Sequence, residues 1–198
     1  AKGDRIPGHE ISATIAKVAD GVPSQWKVGQ RVTVSPYTNC GFCASCLADR
    51  PNCCENNETM GVQRDGAMTT YIKVPWTKLF DAEGLAPEHV ALVEPLTVGG
   101  HAADRSQANE DSIGCVIGCG AIGLGAILGL ANKNCRKVIA VDVDDEKLAL
   151  AREFGATDVI NSKAQDLHVE LAKLTDGQGP NVIIEAVGSP FPYRQAVA

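Results

Sequence analysis

The chain has no basic run longer than two residues, and its 18 Lys and Arg are outnumbered by 24 Asp and Glu, a formal net charge of −6. A polyphosphate backbone is bound chiefly through clustered cations that release counterions. Nucleic acid is therefore not an expected partner, and a nucleic-acid-reading zinc module is disfavoured with it. The opening "AKGDRIPGHE" also lacks the apolar core of a secretory leader. Nor do the eight cysteines form the even framework that staples a small secreted domain. Five crowd into residues 40–54, and Cys115, Cys119 and Cys135 lie far downstream in apolar sequence. A reducing, cytoplasmic setting is expected, in which metal outranks disulfide for the cluster.

Only one stretch, residues 113–131, runs nineteen residues without a charge, about the minimum for a membrane span. Six of the nineteen are Gly, and an acid-punctuated strand follows, so no membrane segment is expected.

What is present falls into two textures. From Glu10 to about Phe80, short β-type runs, "EISATIAKV", "QRVTVSP" and "GAMTTYIKVP", are separated by Gly, Pro and Asn clusters. This predicts a mainly-β domain over residues 1–95, interrupted by a cysteine lobe at about 38–58. From residue 96 to 198, strands "IGCVIG", "KVIAVD", "TDVIN" and "NVIIEAVG" alternate with helical stretches such as "DDEKLALAREFG", which carries acids in its first turn and Gly155 as a cap. Such alternation predicts an α/β fold with a parallel sheet wound on both faces. Four strands are legible where a six-stranded sheet of this kind needs two more, so the chain is expected to be part of a longer protein.

"VIGCGAIGLG" sets Gly118, Gly120 and Gly123 in GxGxxG spacing, directly after a predicted strand and before a predicted helix. The first glycine permits a tight turn, the second lets backbone approach a pyrophosphate, and the third lets helix pack on strand. Ala121 and Ile122 complete the turn, whose amides at the helix N-terminus suit phosphate. Asp142 ends the next strand, nineteen residues after Gly123, where a carboxylate accepts hydrogen bonds from an adenosine ribose. With Asp144, Asp145 and Glu146 beside it and no Arg, a 2′-phosphate would be repelled. NAD is expected over NADP.

The cluster reads Cys40, two residues, Cys43, two residues, Cys46, seven residues, Cys54. Four thiolates on a tight loop can converge on one tetrahedral Zn²⁺ and leave no position open for water or substrate, which makes such a site structural. The spacing alone does not separate zinc from an iron–sulfur cluster.

Taken in order, "PGHE", the four-cysteine lobe, "EPLTVGGHA", "GCGAIG" and "VD" with the following "DEKL" resemble the zinc-dependent medium-chain alcohol and polyol dehydrogenases. The branch resembled is that of sorbitol, threonine and sugar-acid dehydrogenases. The resemblance implies a GroES-like catalytic domain followed by a Rossmann-type NAD-binding domain, with two zincs per complete chain. It makes His9 a ligand of the catalytic zinc and places Glu10 beside that metal as an outer group or alternating ligand. Glu94 takes a third position, on the metal directly or through a water. It sets Lys147 near the adenosine ribose and Val187 of "EAVG" near the nicotinamide. It assigns Cys40, Cys43, Cys46 and Cys54 to the structural zinc and leaves Cys53 as the spare, because only Cys54 gives the seven-residue gap.

The implied activity is hydride transfer between a secondary alcohol, such as a polyol, sugar acid or amino alcohol, and NAD, in a homodimer or homotetramer. The competing reading is a zinc-stabilised NAD-binding module without catalysis. It is motivated by a further Cys ligand and a proton relay that the family supplies upstream of "GHE"; without that segment the chain as given is expected to be inactive. Ala13 and "DGAMTTY" (65–71) also depart from the family pattern. His89, His101 and His168 read as ordinary helix residues, and Cys115 and Cys119 as small buried side chains.

Overall fold

A computed structural model describes residues 4–197. The chain divides into two compact units, Ala1–Glu94 and Pro95–Ala198.

In the first unit three short strands, β1 (Ala13–Thr14), β2 (Arg31–Val34) and β3 (Leu79–Asp81), pair antiparallel in the order β1-β2-β3. Val32 of β2 sits opposite Ala13 on one side and Asp81 on the other. Ile11, Val34 and Met60 form the buried centre, with Ile72, Val74 and Leu79 packed against it. Two sequence expectations are corrected here. The run 10–18 contributes only the two residues of β1, and "GAMTTYIKVP" (66–75) forms no strand, the partner of β2 on that side being β3. The physical reason lies in the backbone partners. The amides of Gly66, Ala67 and Met68 donate to the carbonyls of Ile6, Gly8 and Pro7, an irregular pairing that consumes them outside any ladder.

That pairing brings backbones very close. A Cβ on Gly61 would lie 2.5 Å from the Gly8 nitrogen, and one on Gly66 would lie 2.4 Å from the Gly8 oxygen. Gly8 itself holds φ +102°, open to glycine at little cost. The cysteine lobe carries one helical turn, α1 (Ala44–Leu47), and a 3₁₀ turn at Pro51–Cys53. Helix α2 (Pro87–Ala91) starts on a proline, whose missing N–H is no loss at a helix start, and α3 (Val93–Arg105) follows.

In the second unit β4 (Ile113–Ile117), β5 (Lys137–Asp142), β6 (Asp158–Asn161) and β7 (Val182–Glu185) form one parallel sheet in the order β6-β5-β4-β7. Alternate residues face opposite cores. Val116, Val138 and Ala140 meet Ile127 and Leu130 of α4 (Ala121–Asn132) and Leu148 of α5 (Asp145–Glu153). Ile113, Cys115, Ile117, Ile139 and Val141 meet Leu167 and Leu171 of α6 (Leu167–Leu174), with Ala196 of α7 (Pro190–Val197) against them. Helices thus cover both faces, which is why β4 and the centre of β5 are continuously apolar rather than alternating. The charge-free run 113–131 resolves into β4 and α4; among the described residues no helix is long and apolar enough to cross a membrane.

The strand order reverses between β4 and β7. In open α/β sheets a crevice at such a reversal, outside the carboxyl ends of the strands, is where ligands bind.

Candidate metal centres and dinucleotide site

The sulfurs of Cys40, Cys43, Cys46 and Cys54 all lie within 4.8 Å of one another. Cys43 Sγ and Cys54 Sγ are 3.9 Å apart, close to the edge of about 3.8 Å that a tetrahedron with Zn–S of about 2.3 Å requires. Backbone amides converge on the same sulfurs: Cys40 N–H donates to Cys54 Sγ and Cys43 N–H to Cys40 Sγ, each at 3.3 Å. All eight cysteines are free thiols.

Amide hydrogen bonds from Phe42 and then Cys43 hold the Cys40 thiol down at about 6. At Cys46 the Gly41 amide also pulls down, but burial and the sulfurs of Cys43, Cys54 and Cys40 outweigh it and push the thiol up to about 11. Four thiolates this close cannot share their charge comfortably without a cation, and the cluster suits a structural zinc. Cys53 is exposed and takes a contact from Asn52 Nδ2 at 3.4 Å.

A second group gathers His9, Glu10 and Glu94, again with one possible ligand atom each within 4.8 Å of the others. His9 and Glu10 come from the loop pinned under Gly66 and Ala67, and Glu94 from the first turn of α3. An open cleft of about 360 Å³ runs past His9, Glu10, Ile11, Ser12 and Met68. The donor set is one imidazole and two carboxylates, half-buried or exposed. A mixed, accessible set of nitrogen and oxygen donors can hold a metal ion with a position left open, in contrast to the closed all-sulfur lobe.

Sequence reasoning missed Tyr37, whose Oη donates to Glu94 Oε1 at 2.7 Å. That hydrogen bond, followed by burial and the carboxylate charge, pushes the phenol up to about 12. Only its place three residues ahead of Cys40 could have drawn attention to it.

In the second unit Gly118 (φ +97°) turns the chain after β4, and a Cβ on Gly123 would fall 1.8 Å from the Gly118 oxygen. At Gly120, the N-cap of α4, a Cβ would meet nothing within 4 Å, so open space lies over the helix N-terminus, followed by Ala121 and Ile122 in its first turn. The three glycines therefore play the separate parts that a pyrophosphate cradle needs.

Asp142 meets partners that the sequence did not suggest. Its Oδ2 accepts the Cys119 amide at 2.7 Å, and its Oδ1 accepts those of Val143 at 2.8 Å and Asp144 at 3.1 Å. The carboxylate thus straps the glycine turn to the end of β5. Lys147 is exposed on α5. Val187 is exposed and follows β7, its amide and that of Gly188 donating to Glu185 Oε1 at 2.8 and 3.0 Å. Glu185 was not singled out from the sequence; the turn-forming "EAVG" was its only signal.

Cys115 and Cys119 are buried, and burial raises both thiols to about 12, which makes them inert. His89, His101 and His168 all lie on helices.

Comparison with known proteins accords with this layout. The alcohol dehydrogenase GroES-like domain model matches residues 1–84, and the zinc-binding dehydrogenase model matches 121–198. Sorbitol dehydrogenase of Bacillus subtilis is 35% identical over 195 residues, covering 98% of this chain and 55% of that protein. An alcohol dehydrogenase (rspB) of Escherichia coli CFT073, solved with NADH, matches with TM-score 0.88 at 34% identity, over 98% of this chain and 57% of that one. A zinc-binding dehydrogenase of Sinorhizobium meliloti 1021, solved with NADP, matches with TM-score 0.89 at 31% identity, over 97% and 57%.

The chain belongs to the zinc-dependent medium-chain alcohol and polyol dehydrogenase family. Its fold is the family's: a GroES-like unit and part of a Rossmann-type sheet. The chain spans about half the length of the curated relatives it matches.

Proposed function

We propose that the complete protein is a zinc-dependent oxidoreductase that transfers hydride between a secondary alcohol and NAD, giving the ketone. The observation that carries this reading is the convergence of His9, Glu10 and Glu94 on one accessible point. A bound zinc would supply Lewis acidity toward an alcohol oxygen, and bound NAD would supply a hydride acceptor. The chain's own residues do the rest. His9, Glu10 and Glu94 provide the donor set, and the two carboxylates offset most of a divalent charge. Cys40, Cys43, Cys46 and Cys54 would hold a second zinc that keeps the lobe folded.

Gly118, Gly120, Ala121, Ile122 and Gly123 offer the turn and helix amides to a pyrophosphate. Asp142 retains capacity for a ribose hydroxyl beyond its three amides, Lys147 stands on the adjoining helix, and Val187 follows the strand across the sheet's reversal. Solved relatives carry NADH in one case and NADP in another. Our preference for NAD rests on Asp142 and the acids 144–146.

The sorbitol dehydrogenase relative supports a polyol, sugar-acid or amino-alcohol substrate. We assign residues 1–95 to the catalytic domain, with its lobe at about 38–58, and 96–198 to the nucleotide domain. A homodimer or homotetramer in the cytoplasm is the assembly we expect.

The test is an activity screen of the complete protein against polyols, sugar acids and 3-hydroxy amino acids with NAD and NADP in parallel. Metal analysis of the same sample should give two zincs per chain. NAD binding with no turnover across the panel would instead support a binding module, and one zinc or none would refute the two-site assignment.

A further inference from the structure

Tyr37 contacts the proposed catalytic cluster without belonging to its donor set. The residue is 40% exposed, yet its backbone is held on both sides. Tyr37 bridges Thr59, Thr38 N–H donates to Glu58 O at 3.2 Å, and Met60 N–H donates to Pro36 O at 3.0 Å. Arg64 Nη2 also donates to Pro36 O, at 3.4 Å, and Thr38 Oγ1 accepts the Glu58 amide at 2.7 Å. The phenol is therefore delivered from a stiff segment.

Glu94 poses the opposite problem. Its backbone is set by the first turn of α3, but the last torsion of a glutamate is broad and roughly two-fold. A helix start alone does not choose the plane of the carboxylate. An O–H···O⁻ bond at 2.7 Å is short and charge-assisted, and it fixes one oxygen and with it that plane.

We propose that Tyr37 is a positioning residue that holds the Glu94 carboxylate in the orientation serving a cation beside His9. The cluster's metal affinity then depends on a hydroxyl that is not among the metal's donors. This rests on the metal reading of His9, Glu10 and Glu94, and sharpens it. Partners that orient ligands in this way are typically worth 10–100-fold in metal affinity.

The experiment measures zinc affinity outside the lobe in the complete protein, by competition with a chromophoric chelator, and follows the d–d absorption of Co²⁺ in the same site. Wild type, Tyr37→Phe, Glu94→Gln and the double variant are compared, with retention of the lobe zinc as the control for folding. Tyr37→Phe should bind about tenfold more weakly with an altered Co²⁺ spectrum, and the double variant should be no weaker than Glu94→Gln alone.

An affinity within twofold of wild type, losses that multiply in the double variant, or a change confined to the KM of the alcohol would overturn the proposal. If Tyr37→Phe does not fold, Tyr37→His, which retains a donor, is compared with Tyr37→Leu. The His variant should bind more tightly, and equal affinities would overturn the proposal. A wild-type protein that binds no metal outside the lobe refutes the underlying metal reading instead, so the two failures are distinguishable.

Discussion

Strand β4 is buried along all five of its residues, whereas the strands of the Ala1–Glu94 unit have two, four and three residues and share a small apolar centre. The Pro95–Ala198 unit packs helices on both sheet faces and derives its stability from apolar area removed from water. The other unit buries little and fixes its loops by backbone hydrogen bonds, close glycine contacts and convergent cysteines. Where regular structure is scarce, ligation of a metal by these cysteines would do the folding that a core does elsewhere.

The sharpest test of that contrast removes a lobe ligand. Cys54→Ser should lower zinc content by one per chain and open residues 37–60 to protease, a loss of several kcal/mol or more given the binding energies of structural zinc. Amide exchange in β4 and β5 should not change; if it rose equally, the contrast would fail.

On the other side, Ile139→Ala empties a fully buried site in the sheet. Chemical denaturation should report a loss of about 2–5 kcal/mol with both zincs retained.

Asp142→Ala frees the Cys119 amide of the glycine turn and the Val143 and Asp144 amides just past β5. NADH fluorescence titration should show binding weakened about tenfold, with little change in metal content.

Least of all, Cys53→Ser should leave zinc content unchanged and stability within about 0.5 kcal/mol, because its side chain is exposed.

The same contrast governs what could be read from the chain. "KVIAVD" became β5 residue for residue, and "IGCVIG" became β4, because strands buried on both faces leave an unbroken apolar signature bounded by glycine. In the other unit, the β-branched residues at 69–74 looked like a strand, but the run opens with Gly66, Ala67 and Met68, whose amides are claimed by the loop at 6–8. The three residues of β3, "LFD", are too short to carry a period.

Within the candidate site, cysteines and glycines announce themselves because their chemistry is fixed by spacing. Tyr37 and Glu185 do not, since each acts through a contact made by folding: one joins residues 57 positions apart, the other closes a turn that many sequences could close. Asp142 was singled out by its position, but its strapping of the turn was not, because spacing identifies a carboxylate and not the amides it will meet.

The crossing of Gly8, Gly61 and Gly66 bears on how this loop can change. Gly61 and Gly66, at the far end of nearly sixty residues, both close on the backbone of Gly8, which leaves no room for a methyl group on either, Gly8 itself holds a φ that other residues rarely adopt, and His9 is the next residue along. No single substitution there is neutral, and a compensating change would have to be subtractive where nothing remains to subtract. The path by which the "PGHE" loop could be redesigned therefore does not pass through these glycines; it starts at Met68, the flexible, exposed side chain on the open side of the same cleft.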